Sequence, residues 1–197
     1  LRFNELDLGV IIFSSQGSLG DVLFYDNLLH KFNSHWFLRE IKHLWNRTLK
    51  RIDLTSRSLV TLIEPGSCFG GFLSEIIFAS DRSYMAEGVF DESNDPEAKI
   101  ALSKSNFNFF KMSNGITRLE TRFLNESEKI KALENQICNE LDSQMALDMG
   151  LVTFSFDDID WEDEVRIFLE ERSSFSPDSM TGLEAVSYTH LRAHETR

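Results

Sequence analysis

Apolar and polar positions fall into blocks along this chain, and each block predicts an element. Leu8 to Phe13 is a short β-rich apolar run, which predicts a buried strand. Ser14 to Gly20 is polar and punctuated by glycine, which predicts a loop. From about Asp21 to Asp53 the apolar residues recur at helical spacing: Phe24, Leu28, Phe32, Trp36, then Phe37, Ile41, Leu44 and Leu49. That spacing predicts one long helix, or two joined near Asn33-Ser34. Ser58 to Ile63 is strand-like again, Pro65-Gly66 stops it, and Gly70-Gly71 precede an apolar run from Phe72 to Ala79. The order there is strand, tight turn, helix. A further strand is expected over Ser83 to Ala86, and an exposed acidic loop over Phe90 to Lys99. Leu124 to Leu147 reads as one helix with Ile130, Leu133, Ile137, Leu141 and Met145 on a common face. Leu151 to Phe156 reads as a strand. Asp160 is placed to cap a helix from Trp161 to Arg172, with acidic residues suiting its positive first turn. Alternating strands and helices give an α/β class.

Length and composition agree with one folded domain. The 197 residues are 42% hydrophobic, too apolar for a disordered chain and enough to bury a sizeable core. The longest nearly uncharged stretch, Ser58 to Ser74, contains Glu64, Pro65 and glycines, so it is expected to be a buried strand and loop rather than a membrane span. The chain opens without methionine and with no secretory pattern, and part of a longer chain is expected upstream. A formal charge of -12 repels a phosphate backbone, which argues against nucleic acid as a partner. Cys68 and Cys138 form no CxxC pair, as fits a reducing, cytoplasmic setting. His30, His35 and His43 lack zinc-site spacing, so no metal is expected. Val186 to Arg197 (VSYTHLRAHETR) departs from the preceding pattern and closely resembles a translated sequencing adapter. We therefore expect a native domain over 1–185 and a non-native tail over 186–197, with His190 and His194 outside the functional argument.

The stretch Ser58 to Asp81 (SLVTLIEPGSCFGGFLSEIIFASD) carries the most chemistry. A strand that turns through glycines into a helix leaves free backbone N–H groups, which can hold an anion or a developing oxyanion. Paired glycines more often make only a tight turn. Glu75 follows Gly71 by one helical turn and could act as acid or base if its pKa rose toward neutrality. Its plainer role is a solvent-facing carboxylate favoured by the helix N-terminus. Cys68 has no evident activating base and reads as a small buried turn residue. Glu64 ends a strand, where a salt bridge to Arg57 or Arg82 competes with any functional role. Lys42, Arg47, Lys50 and Arg51 could meet cofactor phosphates, although a solvated helix face explains them as well. Trp36 and Trp45 suit core packing or a partner surface. The acidic group Asp157 to Glu164 lacks the glycine-centred spacing of a calcium loop and reads as a solvated helix start.

The same stretch resembles the signature of the crotonase, or enoyl-CoA hydratase and isomerase, family. There a strand runs into glycines and then a helix bearing a catalytic glutamate, with an aspartate six positions on; Glu75 and Asp81 stand at those places. Met112 to Leu119 (MSNGITRL) resembles the family's PGAGGTQRL segment, and Ala146 to Val152 its small-residue and GLV stretch. The blocks HWFLRE at His35–Glu40, TSRSL at Thr55–Leu59 and IEPGSCF at Ile63–Phe69 resemble one branch of that family. DDIDW at Asp157–Trp161, EERSSFSPD at Glu170–Asp178 and TGLEA at Thr181–Ala185 do so too.

The resemblance implies a crotonase-like fold, a repeated ββα superhelix, here as an incomplete C-terminal half of a longer enzyme. It implies action on coenzyme A thioesters in aromatic compound catabolism and benzoate degradation. The reaction would open and cleave the 2,3-epoxide of benzoyl-CoA with two waters, giving an open-chain semialdehyde thioester and formate. No cofactor is implied, since coenzyme A is part of the substrate. Implied site residues are Glu75 and the backbone N–H groups of Gly71 and Phe72 as oxyanion donors. The family's second glutamate falls at Lys104, which cannot replace it as a base. The expectation is therefore a mainly structural or pocket-completing half, partnered by a missing N-terminal catalytic half and by further copies in a homo-oligomer. The alternatives are an active hydratase or isomerase using Glu75, a purely structural module, and an anion- or calcium-binding module outside metabolism.

Overall fold

The computed structural model describes residues 8–90 and 94–195, with side chains described up to residue 186. Four parallel strands form the main sheet in the order β1-β2-β3-β6: Val10–Phe13, Ser58–Ile63, Arg82–Ala86 and Phe154–Phe156. Every residue of β2 is buried, because helices and loops cover both faces of this central strand; hence it is uncharged, with only Ser58 and Thr61 polar. Val10 pairs with Ser58, Val60 with Arg82 and Tyr84 with Phe154. Two short strands, β4 (Ile100–Ala101) and β5 (Glu140–Leu141), form an antiparallel ladder beside it.

Two helices, α1 (Leu19–Lys31) and α2 (Trp36–Ile52), connect β1 to β2. They break where the pattern allows, and Ser18 caps α1 by accepting the Asp21 N–H, so the expected loop ends before Gly20. Of the apolar row read from the spacing, however, only Leu49 at its end is buried. Phe24, Phe32, Trp36, Phe37, Ile41 and Leu44 are exposed, whereas Asp26, Leu29, Leu49 and Ile52 are buried. Periodicity fixes which residues share a face but not which face meets the sheet.

After β2 the chain makes a 3-10 turn (Gly71–Leu73), the short helix α3 (Glu75–Ala79) and β3. The segment between β4 and β6 holds α4 (Ser105–Asn108), α5 (Arg118–Arg122), α6 (Ser127–Glu134) and α7 (Ser143–Asp148). The single helix expected over Leu124 to Leu147 is thus two helices with β5 between them. Cys138 adopts a positive φ of 67°, which an α-helix cannot contain, and its N–H bonds the carbonyl of Leu102. Strand pairing by Leu141 outweighs the helical periodicity. Helix α8 (Asp158–Ser173) starts earlier than expected: Asp157 is the cap and accepts the Asp160 N–H at 3.0 Å. Helix α9 (Pro177–Glu195) carries Met180 against Ser58, and its backbone runs into the expected tail as far as Glu195. Of the expected acidic loop, residues 91–93 lie outside the described residues, and Ala98 is buried.

The core forms two clusters. Val60, Ile63, Phe69, Ile77, Met85 and Leu151 pack in one cluster, while Leu49, Ile52, Leu59 and Phe110 form another against α2. The glycine turn and α3 are held between the sheet and the α4–α5 segment.

Candidate functional site

Asn106 and Arg118 converge on Glu75 at the first turn of α3. Arg118 opens α5, a helix fixed by a reciprocal capping box between Thr117 and Glu120, and that cap aims its guanidinium inward. Its Nη1 donates to Glu75 Oε2 at 2.8 Å and to the Phe110 carbonyl at 3.0 Å. Its Nε and Nη2 grip both oxygens of Asp53, at the end of α2, at 2.8 and 2.7 Å. Asn106 Nδ2 donates to Glu75 Oε1 at 2.8 Å, and its Oδ1 accepts the Ser103 N–H at 2.9 Å. Glu75 has no exposed surface and Arg118 only 2%.

One guanidinium therefore serves two carboxylates. Burial pushes the Glu75 carboxyl up to about 7, against the opposing pull of Arg118 and Asn106. Burial raises Asp53 as well, although its bidentate pairing with Arg118 works the other way. A carboxylate whose two oxygens both accept internal hydrogen bonds, sealed from solvent, is held in place. Nothing in this arrangement leaves Glu75 facing water, contrary to the plainer sequence reading.

The glycine turn in front of Glu75 is closed by α1. Gly71 takes φ +50°, and a Cβ there would stand 2.7 Å from Asp26 Cγ; one on Gly70 would stand 2.6 Å from Leu19 Cδ1. These glycines admit a close approach, but the approaching group is the chain's own helix. The Phe72 N–H donates to Asp26 Oδ1 at 3.0 Å, and the Phe72 carbonyl accepts from Trp45 Nε1 at 3.0 Å. The Gly71 carbonyl accepts from the Ser74 hydroxyl and from Asn106.

The remaining sequence candidates lie elsewhere. Asp81 Oδ2 accepts the Leu59 N–H at 2.8 Å, tying the end of α3 to β2. Lys104 is exposed at the start of α4, two residues before the inward-facing Asn106. Cys68 is a buried free thiol, and Arg82 packs over the Phe154 ring. Among the described residues no group of His, Cys, Asp and Glu is placed to hold a metal ion, and no helix is long and apolar enough to cross a membrane. A cleft of about 230 Å³ is lined by Asp53, Phe78, Met112, Arg118 and Arg122, and Glu75, Gly71 and Phe72 do not line it.

Sequence reasoning missed Asp26, Asp53, Asn106 and Arg118 as members of this site. The available signals were the charge of Asp26 among the hydrophobic residues of α1 and the place of Arg118 inside a segment already matched to a family motif.

No family model matches the chain. Among curated proteins it is 44% identical over 187 residues to the benzoyl-CoA-dihydrodiol lyase of Aromatoleum evansii. That likeness covers 94% of this chain and 32% of the lyase, so the chain spans about a third of its relative's length. Among solved structures it resembles the enoyl-CoA hydratase of Bacillus halodurans, with a TM-score of 0.62 and 17% identity over 93% of this chain and 69% of that one. It also resembles human enoyl coenzyme A hydratase domain-containing protein 3 (TM-score 0.60, 14% identity, 96% and 70%) and Pseudomonas aeruginosa AtuE (TM-score 0.60, 16% identity, 91% and 65%). The fold is crotonase-like, and the relationship to part of the lyase extends over nearly the whole chain.

Proposed function

We propose that this chain is the C-terminal, pocket-completing part of a longer lyase that acts on a coenzyme A thioester, and that its own glycine turn performs no chemistry. The reaction of the whole enzyme, on this reading, opens and cleaves the 2,3-epoxide of benzoyl-CoA with two waters, leaving a semialdehyde thioester and formate. The catalytic carboxylates and the oxyanion donors belong to the N-terminal part of that polypeptide. The observation that supports this assignment is the Asp26–Phe72 hydrogen bond. An oxyanion at the Phe72 N–H would have to displace a carboxylate that already holds it, and Leu19 and Asp26 fill the space where a thioester would lie. Glu75 acts here as an anchor, joining α3 to α5 and α4 through Arg118 and Asn106. Coenzyme A enters as part of the substrate.

One observation favours a second reading, an active hydratase or isomerase using Glu75. Its carboxyl sits at about 7, where a general acid or base works best. Its complete burial and its paired oxygens weigh against that reading. Glu75→Gln in the full-length enzyme separates the two. We expect ring-opening kcat/KM to fall less than about tenfold, whereas loss of a catalytic acid or base costs about a hundredfold or more.

A further inference from the structure

Helices α1 and α2 are apolar on two faces, and among the described residues only one of them is packed against the fold. Inward, Leu49, Ile52 and the half-buried Trp45 pack against the sheet. Outward, Trp36 leaves 66% of its surface exposed, Phe24 and Tyr25 60% each, Leu44 59% and Phe37 51%. Phe37, Ile41 and Leu44 follow the three-and-four spacing of one helical face and form a stripe along α2. The rings also touch: Phe24 and Tyr25 lie 5.7 Å apart in an edge arrangement, and Trp36 and Phe37 5.6 Å. Phe32, in the turn between the helices, is exposed as well. Soluble domains seldom leave so many large aromatic residues together in water. Helix α2 also carries Arg39, Arg47, Lys50 and Arg51 against a single acid, Glu40, in a chain whose net charge is -12. Aromatic anchors with an arginine-bearing rim are the make-up of a protein interface core.

We infer that this face seats the remainder of the same polypeptide, the portion of a lyase-like chain that this sequence does not span. The inference rests on the reading given under Proposed function. This chain matches its relative over 94% of its own length but only 32% of the relative's, so most of such a polypeptide lies outside the fold described. A covalently attached neighbour meets the face at an effective concentration near millimolar, so it stays covered without a high intrinsic affinity. The surface that docks there should be apolar and bordered by acidic residues, to match the basic residues of α2. Helix α1 also links the two sides. Phe24 and Tyr25 point outward, and the next residue, Asp26, holds the Phe72 amide. Docking on α1 would thus brace the helix that closes the glycine turn.

Hydroxyl-radical footprinting of the full-length polypeptide and of the isolated 197-residue chain tests this directly. Trp36, Phe37 and Tyr25 should be oxidised at least about fivefold more slowly in the full-length protein, independently of its concentration. In a second measurement, the polypeptide is cleaved between its parts. The wild-type pieces should co-elute on size exclusion, and Trp36→Glu/Leu44→Glu should separate them. Equal oxidation in both forms overturns the inference. So does protection of the isolated chain that grows with its concentration, which would make a second copy the occupant. Neither readout depends on catalysis, so a catalytic Glu75 would sink the functional reading and leave this result standing.

Discussion

Asp26 accepts the N–H of Phe72 at 3.0 Å, joining the buried side of α1 to the turn that opens α3. The resemblance in sequence pointed to that amide as an oxyanion donor, and here a side chain of the same molecule holds it. The turn is consequently a joint between two elements. Its glycines are required by the closeness of α1.

The first prediction concerns that closeness. Gly71→Ala places a methyl group against Asp26 at a left-handed φ and should cost more than about 2 kcal/mol in urea unfolding. Gly115→Ala, also at positive φ but with nothing within 4 Å, should cost only about 1 kcal/mol. Asp26→Ala combined with Gly71→Ala should lose less than the sum of the two single changes. Strict additivity would show that the contact carries no energy.

Removing the shared guanidinium should be worse. Arg118→Met strands Asp53 and Glu75 without a counter-charge in the interior, with an expected loss of about 3–5 kcal/mol near pH 8. The deficit should shrink at pH 5, where both carboxyls can protonate. A deficit that does not change with pH would argue that packing, and not stranded charge, accounts for it.

Glu75 should also leave its mark on stability as a function of pH. Its folded-state pKa of about 7 lies above the ordinary 4.5, so between those values the folded chain keeps a proton that the unfolded chain has released. The contribution is complete below about 4.5 and is lost as pH rises through 7, a fall on the order of 3 kcal/mol that then levels off. Glu75→Gln should flatten this part of the profile in denaturant titrations from pH 5 to 8. A variant with the wild-type slope would place the proton elsewhere.

Helix α8 offers a control on local reasoning. Asp157→Ala removes the cap and should lower stability by about 1 kcal/mol, while Asp160→Ala, which leaves that cap in place, should cost less. Thermal unfolding of the two variants distinguishes them.

Much of the fold was legible because local rules suffice for it. β2 could be read from an uncharged, mostly apolar run, α1 and α2 from their spacing, and the glycine turn from Pro65-Gly66 and Gly70-Gly71. The helix expected over Leu124 to Leu147 failed where pairing with β4, distant in sequence, claimed Glu140 and Leu141. The cap of α8 was misplaced by three residues because several acidic residues compete for one position. Glu75 was found through its place in a motif, but its partners were not. Asp53, Asn106 and Arg118 come from three separate segments, and no local pattern marks them as neighbours.

The sequence by itself determined the periodicities, the glycine turn and the likeness to a crotonase-like enzyme, since each is written in adjacent residues. Only the tertiary structure decided which face of α1 and α2 meets the sheet. It also decided that Asp26 holds the Phe72 amide and that Arg118 divides its charge between Asp53 and Glu75. Burial and hydrogen-bond partnership depend on what lies across from a residue, and a linear pattern does not contain that information.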